Sequence, residues 1–264
     1  MTKRPNNELA LVSLGNAWME TPGHIDDAIA QFQAALRLKP DLPEAHYDLA
    51  AALERLPGRL NDAVAQYEEA LRLKPDYANA HCNLGNALNA EGRTKEAILH
   101  CKEALRLLPD MIEAHNNLGN ALNAEGLNDE AIAEYKKALQ IDPKFATVHN
   151  NLGNVLSVEG RIGEAISEYE EALRLRPDYA EAHNNLGYNL RKLPGRSHEA
   201  IGHYETALRL NPSDVSAHFN LAVALLGIPG RVDDARAHLE TVLRLRPGNA
   251  QAQDLLDRIR ANRR

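Results

Sequence analysis

The segment AHNNLGNALNAEG (114–126) returns nearly intact as VHNNLGNVLSVEG (148–160) and as AHNNLGYNLRKLPG (182–195). A period of this size decides the architecture before any local reading does. Prolines keep the same beat at Pro40, Pro75, Pro109, Pro143, Pro177, Pro212 and Pro247, spaced by 35, 34, 34, 34, 35 and 35 residues. Each closes a segment of the type EEALRLKP (68–75) or EEALRLRP (170–177). Seven units follow, at about 8–42, 43–77, 78–111, 112–145, 146–179, 180–214 and 215–249, with a tail at 250–264. The longer units carry their additional residue in a Pro-Gly turn: Pro22-Gly23, Pro57-Gly58, Pro194-Gly195 and Pro229-Gly230. Register is therefore kept on both sides of that turn.

Each unit reads as two helices. In the fourth, His115, Leu118, Gly119 and Leu122 follow the i, i+3, i+4, i+7 spacing of one helical face. Gly126 breaks that helix, and Asn128-Asp129 offer an N-cap for the next. Ala131, Tyr135, Ala138 and Leu139 make the second apolar face, which Pro143 stops. A helix of roughly 14 residues is about 21 Å long. One such pair cannot bury its apolar side alone, whereas a stack of pairs can, so the expected fold is an all-α solenoid. Gly15, Gly85, Gly119, Gly153 and Gly187 sit mid-helix, where Gly costs about 1 kcal/mol relative to Ala. They share the buried stripe with a column of large partners on the second helix, Phe32, Cys101, Tyr135, Tyr169 and Tyr204, and a missing Cβ lets a ring lie against backbone. Ala50 and Ala222 take that place in the second and seventh units.

Composition removes several function classes. Lys and Arg number 30 against 37 Asp and Glu, a formal charge of −7, which is a poor balance for gripping phosphates. Two cysteines make no disulfide framework. The longest apolar run, Leu221 to Ile228, is too short to span a bilayer, and Met1 to Glu20 has Lys3 and Arg4 but no apolar core of a signal peptide. A cytoplasmic protein without nucleic-acid or membrane partners is expected. No Gly-rich phosphate loop, HExxH or GxSxG is present, so no catalytic residues and no cofactor are expected. His81-Cys82 and His100-Cys101 supply four soft ligands, but the register buries His81 and Cys101 and turns Cys82 the other way, so no metal is expected.

Asparagine is the anomaly. Most of the 23 lie on the first helix of a unit, although Asn is a mediocre helix former. At 100° per residue from His115, the buried stripe centres near roughly 350°, while Asn116, Asn117, Asn120 and Asn123 centre near roughly 140°. The columns are Asn83, Asn117, Asn151, Asn185 and Asn220; Asn116, Asn150 and Asn184; and Asn86, Asn120 and Asn154, with Asn16 in register. Exposed positions of the second helices hold Glu68, Glu69, Arg72, Lys136 and Lys137 instead, so the amide face is a special one. A side-chain amide both donates and accepts, as a peptide group does. Peptide binding, stapling of neighbouring units and drift after duplication all remain open on this pattern. Tyr47, Tyr188 and Phe219 share the face, either as anchors or as packing groups. In the tail, Leu255, Leu256 and Ile259 form one apolar stripe that would cap the last unit, with Arg258, Arg260, Arg263 and Arg264 at its end.

The columns His149, Leu152-Gly153, Leu156, Ala165, Tyr169, Ala172 and Pro177 resemble the tetratricopeptide repeat, over about residues 8–249. His46, His81, His115, His149, His183 and His218 stand where that family usually has Trp. A pentatricopeptide RNA reader lacks this Gly/Ala/Pro set. The resemblance implies a right-handed superhelix whose first helices line a concave face. The Asn column before Leu-Gly is similar to the asparagine ladder in the superhelical repeats of O-GlcNAc transferase, which implies an extended peptide held along Asn83, Asn117, Asn151, Asn185, Asn220 and their neighbours, with Tyr188 as an anchor. A clamp for chaperone C-termini would need Lys or Arg where Cys82, Asn116, Asn150, Asn184 and Phe219 stand. The expected function is a non-catalytic scaffold for a protein or peptide ligand. The alternatives are a substrate-recruiting segment of a larger enzyme such as a glycosyltransferase, and a scaffold that self-associates through its solenoid ends.

Overall fold

The computed structural model describes residues 7–261, and among them only helices and their connecting turns occur. Lys3, Arg4, Arg263 and Arg264 lie outside the described residues. The chain divides into two compact units, one ending at Asp142 and the other starting at Pro143. The first contains α1 (Asn7–Met19), α2 (Ile25–Leu38), α3 (Pro43–Glu54), α4 (Leu60–Leu73), α5 (Ala78–Ala90), α6 (Thr94–Leu107), α7 (Ile112–Ala124) and α8 (Asn128–Ile141). The second contains α9 (Ala146–Val158), α10 (Ile162–Leu175), α11 (Ala180–Leu190), α12 (Ser197–Leu210), α13 (Val215–Leu226), α14 (Val232–Leu245) and α15 (Ala250–Ala261). Within each unit a first helix packs on its second helix and on the first helix of the following pair. This is an all-α helical-repeat stack.

The turn inside each pair needs a left-handed residue, and glycine supplies it: Gly126 has φ 78° and Gly160 φ 73°. The cap expected at Asn128-Asp129 falls elsewhere. Leu127 is the N-cap of α8 and makes no side-chain cap bond, because the left-handed turn brings Asn128 and Asp129 into the helix itself. Side-chain caps do occur at Asp214, whose Oδ1 accepts from the N–H groups of Ser216 and Ala217, and at Asn249, whose Oδ1 accepts from Ala252.

The glycine column explains the core. A Cβ built on Gly119, Gly153 or Gly187 would stand 2.6, 2.7 or 2.8 Å from the ring of Tyr135, Tyr169 or Tyr204. These rings are essentially fully buried, and burying a side chain of this size contributes about 1.5–3 kcal/mol. Gly85 faces Cys101 instead, and a Cβ built on it would stand 2.5 Å from the sulfur.

A second layer is polar. In six repeats the first-helix histidine bonds through Nε2 to the carbonyl of the proline six residues before it, from 2.9 Å at His46–Pro40 to 3.1 Å at His218–Pro212. Nδ1 meets a residue of the second helix: Gln66, His100, Glu134, Glu168, His203 or His238, at 2.6–2.9 Å. The histidine thus ties the incoming loop, the first helix and the second helix together. In α15, Ala252, Leu256 and Ile259 are buried and the helix packs on α14, while Leu255 is half-buried. Among the described residues no helix is long and apolar enough to cross a membrane.

Candidate functional site

First helices of successive pairs lie side by side, so a residue on one meets the residue about 35 positions earlier. The Asn column before Leu-Gly uses this proximity. Asn83 Nδ2 donates to the Tyr47 hydroxyl at 3.1 Å and Asn117 Nδ2 to the Cys82 carbonyl at 3.3 Å. Asn185 Nδ2 donates to Asn150 Oδ1 at 3.2 Å and Asn154 Oδ1 at 2.9 Å, and Asn220 Nδ2 donates to Asn184 Oδ1 at 2.9 Å. Asn151, like these four, is half-buried. The NH₂ groups of Asn83, Asn117, Asn185 and Asn220 therefore point at the preceding repeat, and their carbonyl oxygens carry what hydrogen-bonding capacity these residues have left for a ligand.

The other two columns lie differently. Asn116, Asn150 and Asn184 are buried, Asn150 completely, with its Nδ2 on Glu181 at 3.1 Å. Asn120 and Asn154 accept from the hydroxyls of Tyr135 and Tyr169 at 2.7 and 2.8 Å, and so orient the core rings. Asn86 is exposed and donates to Glu54 at 3.1 Å, and Asn16 donates to Asp48 at 3.2 Å. Burial holds the Asp48 carboxyl above the usual range, with Glu44 adding to the shift and Asn16 opposing it.

Tyr47 is a packing group between repeats, with ring centroids 5.8 Å from Tyr67 and 5.0 Å from Tyr77. Tyr188 is 40% exposed. With Phe219, Asn184, Asn185 and Asn220 it lines a recess of about 380 Å³ in the second unit, which also takes in Arg246 and Asn249. Cys82 is completely buried beside Ala104 and Ala114, not turned to the face as its register suggested, because α7 covers it. Burial pushes the thiols of Cys82 and Cys101 up to about 12, and among the described residues no cluster of three metal-ligating side chains forms.

Two features escaped the sequence reading. Asn189 is buried in a column that holds Ala87, Ala121 and Val155 elsewhere; it accepts from Ser157 Oγ at 2.8 Å and donates to the Asn185 carbonyl at 2.9 Å. Its signal was a polar residue in a small apolar column. Arg246 precedes Pro247, a position outside the helices on which the search for a ligand face concentrated.

Family models described as TPR repeat match residues 23–56, 57–91 and 119–157, and models described as Tetratricopeptide repeat match 78–111, 144–213 and 195–250. The chain belongs to the tetratricopeptide repeat family. Among curated proteins no sequence match of significance exists. Solved tetratricopeptide structures share the fold at low identity. The crystal structure of the APC/C hetero-tetramer Cut9-Hcn1 matches with a TM-score of 0.78 and 21% identity, over 96% of this chain and 48% of that one. The chain thus spans about half the length of that relative. YrrB, described as a TPR protein with an unusual peptide-binding site, matches with a TM-score of 0.54 and 21% identity over 71% of this chain and 96% of its own. MamA from Desulfovibrio magneticus RS-1 matches at 0.58 and 20%, over 66% and 97%. Repeats of this family generally serve as protein–protein interaction scaffolds.

Proposed function

We propose that this scaffold works without catalysis by holding extended peptide along its first-helix faces, on Asn83 and Asn117 in the first unit and on Asn151, Asn185 and Asn220 in the second. The observation that carries the reading is the recess of the second unit, whose lining includes Asn184, Asn185, Tyr188 and Asn220. The column has a double role: its NH₂ groups fix the spacing of the repeats, and its carbonyl oxygens accept from peptide N–H groups. One bond per rung sets a limit. Even five such bonds, at about 0.5–1.5 kcal/mol each, do not clearly exceed an association cost of about 4–15 kcal/mol. Anchors are therefore needed, and Tyr188 and Phe219 supply aromatic area.

The test is a displayed library of random 12-residue peptides panned on the intact chain and on Tyr188→Ala and Phe219→Ala, with folding checked by circular dichroism. Captured peptides should lose about tenfold or more in affinity for each variant. A library that yields no peptide, or peptides indifferent to both substitutions, would remove this assignment.

A further inference from the structure

The recess in the second unit lies among cations that have no ion-pair partner among the described residues. Arginines elsewhere are mostly spent: Arg72, Arg93, Arg106, Arg161, Arg174 and Arg196 each pair with a glutamate. Arg246, Arg191 and Lys192 make no ion pair among the described residues. Arg246 lines the recess itself, and Tyr188, which also lines it, has Lys192 Nζ 4.2 Å from its ring centroid and Arg191 5.9 Å away. No Asp or Glu lines the recess. In a chain with a formal charge of −7 this corner is an exception.

The repeat register shows why Arg246 is available. Its counterparts before the other prolines include Lys74 and Arg176. Lys74 sits 4.7 Å above the Tyr77 ring and bonds Glu44 at 3.4 Å. Arg176 stacks 3.5 Å over Tyr179 and donates to Thr147 at 3.4 Å. Each stacks on an aromatic residue three positions on. After Arg246 that position is Asn249, which instead caps α15 through Oδ1 at 2.9 Å from Ala252 N. The guanidinium has lost the ring that occupies both counterparts and the acid that occupies Lys74.

A second substitution leaves the same corner short of partners. Tyr135 and Tyr169 give their hydroxyl protons to Asn120 and Asn154, but the column residue facing Tyr204 is Tyr188. The buried Tyr204 hydroxyl therefore has no column amide to donate to and lies beside the Arg191 guanidinium, whose buried Nε has no hydrogen-bond partner among the described residues.

We infer that this recess takes a carboxylate of an acidic peptide, bound to Arg246 within the electropositive field of Arg191 and Lys192 and flanked by Tyr188 and Phe219. A guanidinium fork matches a carboxylate with two parallel N–H···O bonds, and loss of bulk water around the recess strengthens them. The inference rests on the peptide-binding reading and specifies the ligand for one end of that face. The carboxylate comes either from an Asp or Glu side chain or from a chain terminus.

Three fluorescein-labelled Gly/Ala decapeptides built around one Tyr separate these sources. One carries a central Asp and an amidated end, one a central Asn and an amidated end, and one a central Asn and a free C-terminal carboxylate. In fluorescence anisotropy at low salt, the intact chain should bind at least one carboxylate peptide about tenfold more tightly than the amidated Asn peptide, and which one reveals the source. Arg246→Gln should abolish the preference, and Arg246→Lys should restore part of it. Arg246 is exposed at the end of α14, so both variants should keep the wild-type circular dichroism and melting point. Equal binding of all three peptides, or a preference that survives in Arg246→Gln, would overturn the carboxylate site and leave the peptide scaffold intact. Absence of binding by all three, while library peptides still bind, would also overturn it.

Discussion

Repeats four and five set the column histidine against a glutamate, whereas repeats three, six and seven set it against a second histidine. The geometry is nearly the same, with His115–Glu134 at 2.7 Å, His149–Glu168 at 2.6 Å and each His–His pair at 2.9 Å between Nδ1 atoms. The chemistry is opposite. Nε2–H is committed to a proline carbonyl, so a neutral column histidine offers only a lone pair at Nδ1. A partner imidazole can donate to that lone pair, but a carboxylate cannot. One architecture thus accommodates two kinds of hydrogen-bond partner, and the choice is made by a single residue on the second helix.

The largest effect should fall where the two classes do not differ. Gly153 and Gly187 face Tyr169 and Tyr204 in a His–Glu and a His–His repeat. Leucine at either place drives the ring out of a fully packed layer, an overpacking that costs about 3 kcal/mol or somewhat more. Urea unfolding of Gly153→Leu and Gly187→Leu at pH 7.5 and 5.5 should show equal losses at both values. A loss that changed with pH would mean that ring packing and histidine charge are coupled, and the two layers could not be treated separately.

Removing the column histidine should separate the classes. His149→Leu leaves the Glu168 carboxylate without its ring partner, and hydrogen bonds to charged groups contribute about 1.5–3 kcal/mol. Glu168 keeps 27% side-chain exposure, which places the expected cost near the lower end. His183→Leu interrupts a bond between neutral rings, worth about 0.5–1.5 kcal/mol. Denaturation midpoints at pH 6.5 should rank the two in that order. The reverse ranking would remove the charge distinction.

This distinction was only half legible in the sequence. The period follows from prolines 34 or 35 residues apart, the helices and glycine–ring contacts follow from spacing within 20 residues, and the structure shows all three. The histidine column was readable as structural by position. Its partners lie 19 or 20 residues further on, at Gln66, His100, Glu134, Glu168, His203 and His238, and pairing them needs the relative rotation of two helices, which spacing along one helix does not give. The amides show the same boundary. A helical wheel puts Asn117 and Asn150 on one face, but only the neighbouring helix decides that Asn117 is half-buried and that Asn150 vanishes beneath the following repeat. Arg246 was readable in principle, since among the cations before the repeat-closing prolines it is the one followed three places on by a polar residue, Asn249, where Lys39, Lys74 and Arg176 have Leu42, Tyr77 and Tyr179.

The smallest change at neutral pH should be the most informative one on acidification. Burial holds His203 below its ordinary range, helped by the charge of His183 and Arg196 and opposed by Glu199. Burial likewise lowers His238, with His218 and Arg231 adding and Asp234 opposing, and lowers His183, with Arg209 adding and the Pro177 carbonyl opposing. Below pH about 6.5 the unfolded chain takes up protons that these folded rings refuse, so repeats six and seven lose stability as pH falls. His149 has the other sign. Burial works against its charged form, but Glu168, the Pro143 carbonyl and Glu171 outweigh that and raise it, so its contribution is complete below pH about 6.5 and fades as pH rises through the folded value. Amide hydrogen exchange between pH 7.5 and 5.5, corrected for intrinsic rates, should show protection falling in 180–245 and holding or rising in 146–175. His203→Glu converts repeat six to the other class by one residue. It should leave stability at pH 7.5 within about 1 kcal/mol of the parent, the scale of one net hydrogen bond, while protection of 180–210 now rises on acidification. If that region still loosened in acid, the sign would belong to the surrounding repeat and not to the residue facing the column histidine.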